Sequence, residues 1–524
     1  MKNRHIVFIA SKEYDNLGIG YMSAILSAAG YKTRIIDFKE NKTEILRIIK
    51  SLNPQLVGFS VIFQYHINHF ISLVEFLRKK GIKSHFTAGG HYASLKHEEL
   101  FYFIPYLDSI VRFEGENTVL ELANCIYQGS DWRKLQGLAF KEDGRVMTNP
   151  TRPFEKDLDR FPFPLRSNLK EYAVGKKCTT IIAGRGCIHN CSFCNEGEFY
   201  RQAGGLIKRI RKPQKVADEI EFLYHKKRCS IFLFVDDDFP VSSVKEPLWV
   251  EKFCHELTVR KLSSKIMWHI CCRPDEVEEE LFSMMKKNGL FSVFLGLEDG
   301  TDEGLKRLKK GITVEKSMTG INILKKLSIN INFGFLLFQP SSTFGSINNN
   351  LDFLKKICSD GYTPVTFLKM MPYYETQIEK ELIKEGRLKI SNGIRNYDFL
   401  ENWLDEYYSF ITECFMKWLR DSEGLENAAH WTRNHFSVYL HFCDHLKNNV
   451  LRLSRRFSGI ISESNLFLLD TMKELLPVFR SGQYKKDFAL LDKYKRSTEL
   501  KQDSFLRRVR GILNELMLYE AIYR

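Results

Sequence analysis

Gly184-Arg185-Gly186-Cys187-Ile188-His189-Asn190-Cys191-Ser192-Phe193-Cys194 carries three cysteines within eight residues, spaced C-x-x-x-C-x-x-C. It stands directly behind an apolar, β-like run, Thr179-Thr180-Ile181-Ile182-Ala183. Thiolates are the soft ligands of iron–sulfur clusters, and close spacing along a loop lets one backbone turn present several of them. Three local ligands rather than four suit a 4Fe–4S cluster with one iron left open for a small molecule. The competing readings are small buried hydrophobes or part of a zinc site. Zinc knuckles usually bring a second C-x-x-C or a His pair, and none is placed here.

A chain of 524 residues is too long for one core, so two or three domains are expected. Hydrophobic residues at 44% and charged residues at 27% describe a soluble globular protein. No apolar run is long enough for a transmembrane helix, and Met1 to His5 lead straight into a short strand without a signal core. Twelve cysteines in such a chain point to a reducing cytoplasm rather than a disulfide framework, a compartment that also suits an oxygen-sensitive cluster. The formal charge of +14 raises the question of an anionic partner: nucleic acid, a membrane surface or a phosphorylated substrate. Lys208, Arg209, Arg211 and Lys212 form one basic stretch, and Arg452, Arg455, Arg456, Arg507, Arg508 and Arg510 a second set. No aromatic-interleaved RNA motif accompanies them, so they are read as solvated surface, with neither nucleic acid nor a membrane as partner.

Residues 1–150 alternate short apolar runs with helical patterns. His5–Ala10, Thr33–Asp37, Leu56–Val61, His85–Ala88 and Ser109–Val111 read as strands, with an amphipathic helix over about Gly18–Ala29. This is a doubly wound, Rossmann- or flavodoxin-like parallel sheet, whose ligands bind at the carboxyl ends of strands. Glycine-bearing loops end three strands: Gly58-Phe59-Ser60, Gly89-Gly90-His91 and Glu114-Gly115-Glu116. Each glycine alone is also explained by turn chemistry. Gly137–Phe140 and Arg145–Thr148 read as a hairpin across Asp143-Gly144, and the proline-marked 151–175 as a linker.

A second βα series fills 176–390, with the cysteine loop at its first strand end. Later strands are expected at Ser230–Val235, Ile266–Cys272, Phe291–Leu297, Ile331–Phe338 and Thr366–Met370. Six strands ending in polar or proline-marked residues describe a partial (β/α)6 barrel of the TIM type, which carries its chemistry on the carboxyl rim. Asp236-Asp237-Asp238, Arg273, Glu298 and Gln339 all fall there. A single such acid is usually a helix N-cap. Residues 391–524 are helical throughout, with helices expected over Asp398–Trp418, Ser437–Leu453, Asn465–Arg480 and Ser504–Tyr523. Trp403, Tyr407, Tyr408 and Phe415 read there as core, and Cys414 and Cys443 as buried and inert.

With its flanks, the cysteine segment resembles the signature of the radical S-adenosylmethionine (SAM) enzymes. The three glycine loops ahead of it resemble the cobalamin-binding domain of the cobalamin-dependent branch. Phe234-x-Asp236-Asp237-x-Phe239, Arg273-Pro274-Asp275, Leu295-Gly296-Leu297-Glu298-Asp299-Gly300 and Met371-Pro372-Tyr373-Tyr374 are similar to that branch's strand ends. Three departures stand out. The common E-S-G is Glu298-Asp299-Gly300, and the usual G-x-P-G-E-T loop is Phe338-Gln339-Pro340-Ser341-Ser342-Thr343. The loop Ser11–Gly20 also lacks the D-x-H-x-x-G histidine that ligates cobalt from below in other cobalamin enzymes. His66 as a cobalt ligand competes with a plain helix-start histidine.

The resemblance covers 1–390 and implies three cofactors: a 4Fe–4S cluster, SAM and cobalamin. Cys187, Cys191 and Cys194 would hold the cluster and be catalytic. Asn16, Leu17, Gly18, Ser60, Phe63, Gln64, Gly89, Gly90, His91, Glu114, Gly115 and Glu116 would meet cobalamin. Phe193, Asp236, Asp237, Arg273, Glu298, Gln339 and Tyr373 would meet SAM, with acids suiting the ammonium and the ribose or sulfonium region, and arginine the carboxylate. The implied activity is C-methylation of an unactivated carbon in a small-molecule or peptide-derived intermediate. A 5′-deoxyadenosyl radical would abstract hydrogen, methylcobalamin would deliver the methyl group, and a flavodoxin- or ferredoxin-like donor would supply electrons. A cyclase or rearranging enzyme with the same cofactors is the alternative. A methylthiotransferase would need further N-terminal cysteines, where only Cys125 occurs, and a non-catalytic sensor would not need the full set of strand-end polar groups.

Overall fold

The computed structural model describes residues 4–12, 15–166, 169–205, 207–241, 248–391 and 393–523. Glu13 and Tyr14 of the loop after the first strand lie outside the described residues, as do Met1, Lys2 and Asn3. The chain forms two compact units that interleave along the sequence. The first comprises Met1–Lys170, Thr179–Lys215 and Pro372–Asn396, and the second Glu171–Cys178, Val216–Met371 and Tyr397–Arg524. The cysteine loop therefore falls within the first unit.

The first unit is built on strands β1 (His5–Ala10), β2 (Lys32–Asp37), β3 (Leu56–Ser60), β4 (His85–Gly89) and β5 (Ser109–Val111), followed by β6 (Leu138–Glu142) and β7 (Arg145–Thr148). Their order is β2-β1-β3-β4-β5-β6-β7, parallel through β5 and antiparallel beyond it. This is the doubly wound order with its topological switch between β1 and β3, where such sheets bind ligands. The central strands are apolar on both faces because helices cover both. Val7, Ile9, Val57, Phe59 and Phe86 enter one core, while Ile6, Phe8, Leu56 and Val111 enter the other. Each such large side chain contributes roughly 1.5–3 kcal/mol on burial. The expected hairpin adds β6 and β7 to this sheet's edge, turning through Asp143 and Gly144, both at positive φ.

The second sheet begins with adjacent strands β8 (Lys170–Ala173) and β9 (Lys176–Ile181), whose residues from Thr179 on are counted with the first unit, and continues in the second unit with β12 (Cys229–Phe234), β13 (Met267–Cys272), β14 (Leu290–Glu298) and β15 (Asn330–Phe335); the two-residue strands β10 (Gly184–Arg185) and β11 (Arg209–Ile210) lie in between along the chain. The sheet order is β15-β14-β13-β12-β9-β8, with β12 to β15 parallel, curled into a half-barrel. The expected sixth barrel strand, Thr366–Met370, is not formed. Its segment makes one isolated bridge, Phe338 to Lys369, just beyond the end of β15, where the Leu368 N–H donates to the Phe335 carbonyl at 2.8 Å and the Met370 N–H to the Phe338 carbonyl at 2.7 Å.

The helical region departs from expectation in its breaks. Helices run Leu404–Leu419, Leu425–Phe442, Lys447–Arg480 and Phe488–Tyr523. A 3-10 turn at Asp444–Leu446 interrupts the expected Ser437–Leu453 helix. The serine- and glycine-bearing 454–464 stays helical because Phe457, Ile460, Ile461 and Ser464 continue a buried stripe. Tyr407 and Phe415 are fully buried core residues, and Cys414 is buried as well.

Candidate active site

The cysteine loop leaves β10, which pairs antiparallel with β11. Gly186, at φ +85°, turns the chain into the loop, and a Cβ there would collide with the Ile207 carbonyl. Glycine is therefore obligatory at this position. The Cys194 N–H donates to the Cys191 carbonyl at 3.2 Å, and the His189 N–H to the Cys187 Sγ at 3.4 Å. The Ile378 N–H anchors the Ser192 carbonyl at 3.2 Å. Burial, with Glu196, Cys191 and Cys187 nearby, pushes the Cys194 thiol up. Three soft donors presented by one short loop suit a thiophilic group such as an iron–sulfur cluster.

The loop is braced against the carboxyl end of the first sheet by buried ion pairs. Arg185, just ahead of Cys187, meets Glu116 at 2.6 Å and Glu114 at 3.2 Å, and Arg209 also pairs with Glu114. Arg185 and Arg209 together hold both Glu114 oxygens, and Arg185 holds the Glu116 Oε1. Arg185 lies over the rings of Tyr21 and Phe161, 5.0 and 5.5 Å from their centroids. A second brace joins His91 to Glu196 at 2.9 Å, with the imidazole stacked on Phe199. Tyr373 completes the group: burial pushes its hydroxyl up to about 12, with Tyr65, Cys194 and Glu196 as neighbours.

The loops after β3, β4 and β5 are tied together at their bases. The Val61 N–H donates to the Gly89 carbonyl at 2.7 Å, the Tyr92 N–H to Ile62 at 3.1 Å, and the Phe113 N–H to the Ser94 Oγ at 2.7 Å. Gly90 sits at φ +109°, and a Cβ on it would lie 2.8 Å from the Val61 oxygen. A Cβ on Gly115 would lie 3.1 Å from Val111 and 3.2 Å from the Met22 sulfur. These close approaches hold the three loops together at the strand ends, where sheets of this order bind ligands. Ser60 and the exposed Phe63 border these loops, with Phe63 stacked on Tyr65 at 5.1 Å.

Gln64 is fully buried and its Nε2 has no partner, while its Oε1 receives Arg395 at 3.5 Å. Asn16 caps the helix Leu17–Ala28 through the Ile19 N–H, and Leu17 and Gly18 open that helix. His66 packs between Phe38 and Tyr65, as a helix-start residue does.

In the second unit the rim is organised at the ends of β12, β13 and β14. Asp236 is buried and Asp237 exposed, and both act on the Cys271 thiol, which burial first and then these acids push up to about 12. Arg273 is gripped by Asp275 through Nε and Nη2 at 3.0 and 3.2 Å, which leaves Nη1 without a partner among the described residues. Glu298 stands at φ +66°, where the β14–β15 register shifts, so a bulge re-aims its carboxylate. The Gln339 Nε2 donates to Asp299 at 2.6 Å and to the Leu336 carbonyl at 3.0 Å, which spends the amide nitrogen on bracing strand ends.

Comparison with known proteins accords with this geometry. The B12 binding domain family matches residues 5–123 and the radical SAM superfamily matches residues 181–354. The chain belongs to the cobalamin-dependent radical SAM enzymes. It is 25% identical to an uncharacterized methyltransferase of Pyrococcus horikoshii over 77% of this chain and 86% of that protein. It is 28% identical to the anaerobic magnesium-protoporphyrin IX monomethyl ester cyclase of Rubrivivax gelatinosus over 62% of this chain, spanning 59% of the cyclase. The solved structure of the cobalamin-dependent S-adenosylmethionine radical enzyme OxsB with aqua-cobalamin bound superposes with a TM-score of 0.68 at 17% identity. That likeness, one of fold, covers 98% of this chain and 81% of OxsB, so it extends over the helical region as well.

Several residues of this radical SAM chain escaped the sequence reading. The basic stretch taken as solvated is largely interior: Lys208, Arg209 and Arg211 are 4–7% exposed, with Arg209 on Glu114 and Arg211 on Asp159. Arg395, buried among Glu99, Glu379 and Gln64, was not singled out either. The detectable signal for Arg209 was the matching pair of acids Glu114 and Glu116.

Proposed function

We propose that this chain is a C-methyltransferase acting on an unactivated carbon of a small-molecule or peptide-derived biosynthetic intermediate. The observation that carries the reading is the bracing of the cysteine loop onto the carboxyl end of the first sheet, within one compact unit. When bound, the 4Fe–4S cluster supplies the electron that opens SAM to radical chemistry, and cobalamin carries the methyl group. Cys187, Cys191 and Cys194 would hold the cluster, whose chemistry would be directed at the amino and carboxylate end of SAM. Asp236 and Asp237 would accept from the amine N–H groups of SAM, and Arg273 would offer Nη1 to its carboxylate. Phe193 and Tyr373 wall the cluster side. Ser60, Phe63, Gln64, Gly89, Gly90 and Gly115, with Asn16, Leu17 and Gly18, hold cobalamin through backbone and small-residue contacts. Glu114, Glu116 and His91 position the cysteine loop. A flavodoxin- or ferredoxin-like protein of the reducing cytoplasm serves as electron donor.

Methyl transfer is favoured because the methyltransferase relative is matched over 86% of its length and the cyclase over 59%. The cyclase relative supports the second reading, ring closure or rearrangement without methyl transfer. Anaerobically reconstituted protein with cobalamin, SAM and a strong reductant separates the two by mass spectrometry. Cobalamin-dependent formation of both 5′-deoxyadenosine and S-adenosylhomocysteine supports methyl transfer. Deoxyadenosine alone, in the presence of a turned-over substrate, sinks it.

A further inference from the structure

Where the expected sixth strand gives way to a single bridge, Phe338 to Lys369, the helix Leu404–Leu419 lies alongside. Tyr408, Ile411, Thr412, Phe415, Met416 and Leu419 recur every three or four residues, so they form one stripe along that helix. Between the stripe and Phe367-Leu368-Lys369 lies a cavity of about 150 Å3, with Phe338 on its wall. All of these residues belong to the second unit. Phe338, Phe367, Ile411 and Phe415 are buried, and the Phe338 ring lies 5.0 Å from Tyr408 and 6.0 Å from Phe367, centroid to centroid. Leu368 and Met416, 39% and 46% exposed, mark the open mouth.

Two cations stand in this apolar lining, and they differ. Lys369 is spent on the wall: its ammonium donates to the Tyr397 carbonyl at 2.9 Å and lies 4.5, 4.8 and 4.9 Å from the ring centroids of Tyr397, Phe399 and Tyr408. Arg420, an exposed residue, caps the carboxyl end of the helix, and its Nη2 donates to the Phe367 carbonyl. Its Nε and Nη1 have no hydrogen-bond partner among the described residues. The acid that acts on it, Glu426, is bonded instead to His430 at 3.1 Å. A guanidinium thus borders an apolar cavity while the nearby carboxylate is engaged elsewhere.

We propose that this pocket binds a small carboxylate carrying a single ring, the ring among Phe338, Phe367 and Phe415 and the carboxylate on Arg420. The inference concerns the helical region and stands apart from the reaction proposed above. A cavity of about 150 Å3 lined by aromatic and branched side chains holds one benzene-sized ring, well short of the roughly 300–1,000 Å3 that drug-sized ligands fill. Rings in the lining favour a ring in the pocket, since aromatic pairs gain beyond the area they bury. Arginine suits a carboxylate, and charge-assisted hydrogen bonds to it are the strong ones. The helix turns its carbonyl end to this site, so the anion is held by Arg420 and not by helix N–H groups. A neutral or cationic ring of the same size leaves the guanidinium unmatched.

The probe is para-fluorophenylacetate, followed by fluorine NMR with the full, anaerobically reconstituted chain, against para-fluorophenylacetamide and para-fluorophenethylamine. Wild type is expected to bind the carboxylate with a Kd of about 1 mM or tighter, and at least about tenfold more tightly than the amide or the amine. Arg420→Met should bring the carboxylate down to the affinity of the amide and leave the amide unchanged. Thr412→Phe, which sets a ring inside the cavity, should abolish binding of both. Circular dichroism and the thermal midpoint report folding. Wild type that does not bind the carboxylate at about 10 mM, or that binds carboxylate and amide equally, overturns the proposal. So does an Arg420→Met protein that keeps the preference. A Thr412→Phe protein that still binds the carboxylate overturns it too, since the ligand then sits elsewhere, as at Arg273. Should either variant fail to fold, the other decides by the same criteria, together with the wild-type ligand series.

Discussion

Replacing Arg185 by Met tests whether the cysteine loop is held by the brace described above. The guanidinium side chain is 13% exposed and its partners Glu114 and Glu116 are 11% and 5% exposed. Burial works against its charge, but Glu116 and Glu114 outweigh that and hold Arg185 above its ordinary range. Methionine would keep much of the packing on Tyr21 and Phe161 while removing the charge. Glu114 would still have Arg209, whereas Glu116 would be left buried with no cation among the described residues. Breaking a buried pair from one side costs about 3–5 kcal/mol, against about 0–1 kcal/mol for an exposed bridge. For a unit of this size that is a fall of roughly 6–20 °C in the midpoint of thermal unfolding.

The assay is thermal unfolding of the unreconstituted protein under argon, followed by circular dichroism, with iron uptake measured in parallel. Adding Glu116→Gln to Arg185→Met removes the orphaned charge and should recover about half of the loss, while Glu116→Gln alone should be milder than Arg185→Met. A shift below about 2 °C for Arg185→Met would place the pair among ordinary surface bridges. Failure of the double variant to recover would show that the lost packing, not the charge, dominates. Either result refutes the brace as an electrostatic device.

Three other outcomes are expected. Cys191→Ala should bind far less iron than wild type after reconstitution and lose the broad visible absorbance of a cluster, and full iron retention would remove this cysteine from the ligand set. Gly90→Ala should destabilise the first unit by about 1–3 kcal/mol and abolish spectroscopic cobalamin binding, since φ +109° and the Val61 carbonyl both exclude a Cβ; a variant that binds cobalamin normally would contradict the placement of cobalamin at these loops. His85 is lowered from 6.5 to about 4, first by burial, so the folded state favours neutral imidazole. Its contribution is complete above pH 6.5 and is lost as pH falls towards 4, worth about 3 kcal/mol in all, and denaturant unfolding of the apoprotein should show a shallower pH slope in His85→Gln.

Much of the fold was legible because it is written in short-range patterns. The run Ile6-Val7-Phe8-Ile9 is apolar at every position, which suits a strand covered on both faces, and β1 (His5–Ala10) extends it by one residue at each end. Asp143-Gly144 marked its hairpin because a two-residue turn there needs positive φ at both positions. The failures lie where tertiary pairing decides. Thr366–Met370 is as strand-like as β15, yet it makes a single bridge, just beyond the end of that neighbour. The 34-residue helix Lys447–Arg480 runs through serines and a glycine that lower propensity, since packing on one stripe outweighs it. The interleaving of the two units could not be read at all, because no local pattern records that Pro372–Asn396 belongs with the cysteine loop.

For the site the same division separates types of charge rather than types of element. The cysteines announce themselves by spacing, because several soft donors must reach one group. Arg185 and Arg209 do not, since in a chain with 78 lysines and arginines a basic residue carries no mark of burial. What distinguishes them is a partner far away in sequence: Arg209 and Glu114 are 95 residues apart, and Arg185 and Glu116 are 69. A net charge of +14 encourages a search for an anionic surface ligand. Here the chemically important cations are the interior ones, neutralised by Glu114 and Glu116. Burial makes each of those pairs costly to break from either side, so single substitutions should be far more damaging there than among the exposed arginines of the C-terminal helices. Arg456, paired with Glu515 at 2.7 Å but with both side chains solvated, is the natural control: Arg456→Met should shift the unfolding midpoint by no more than about 2 °C.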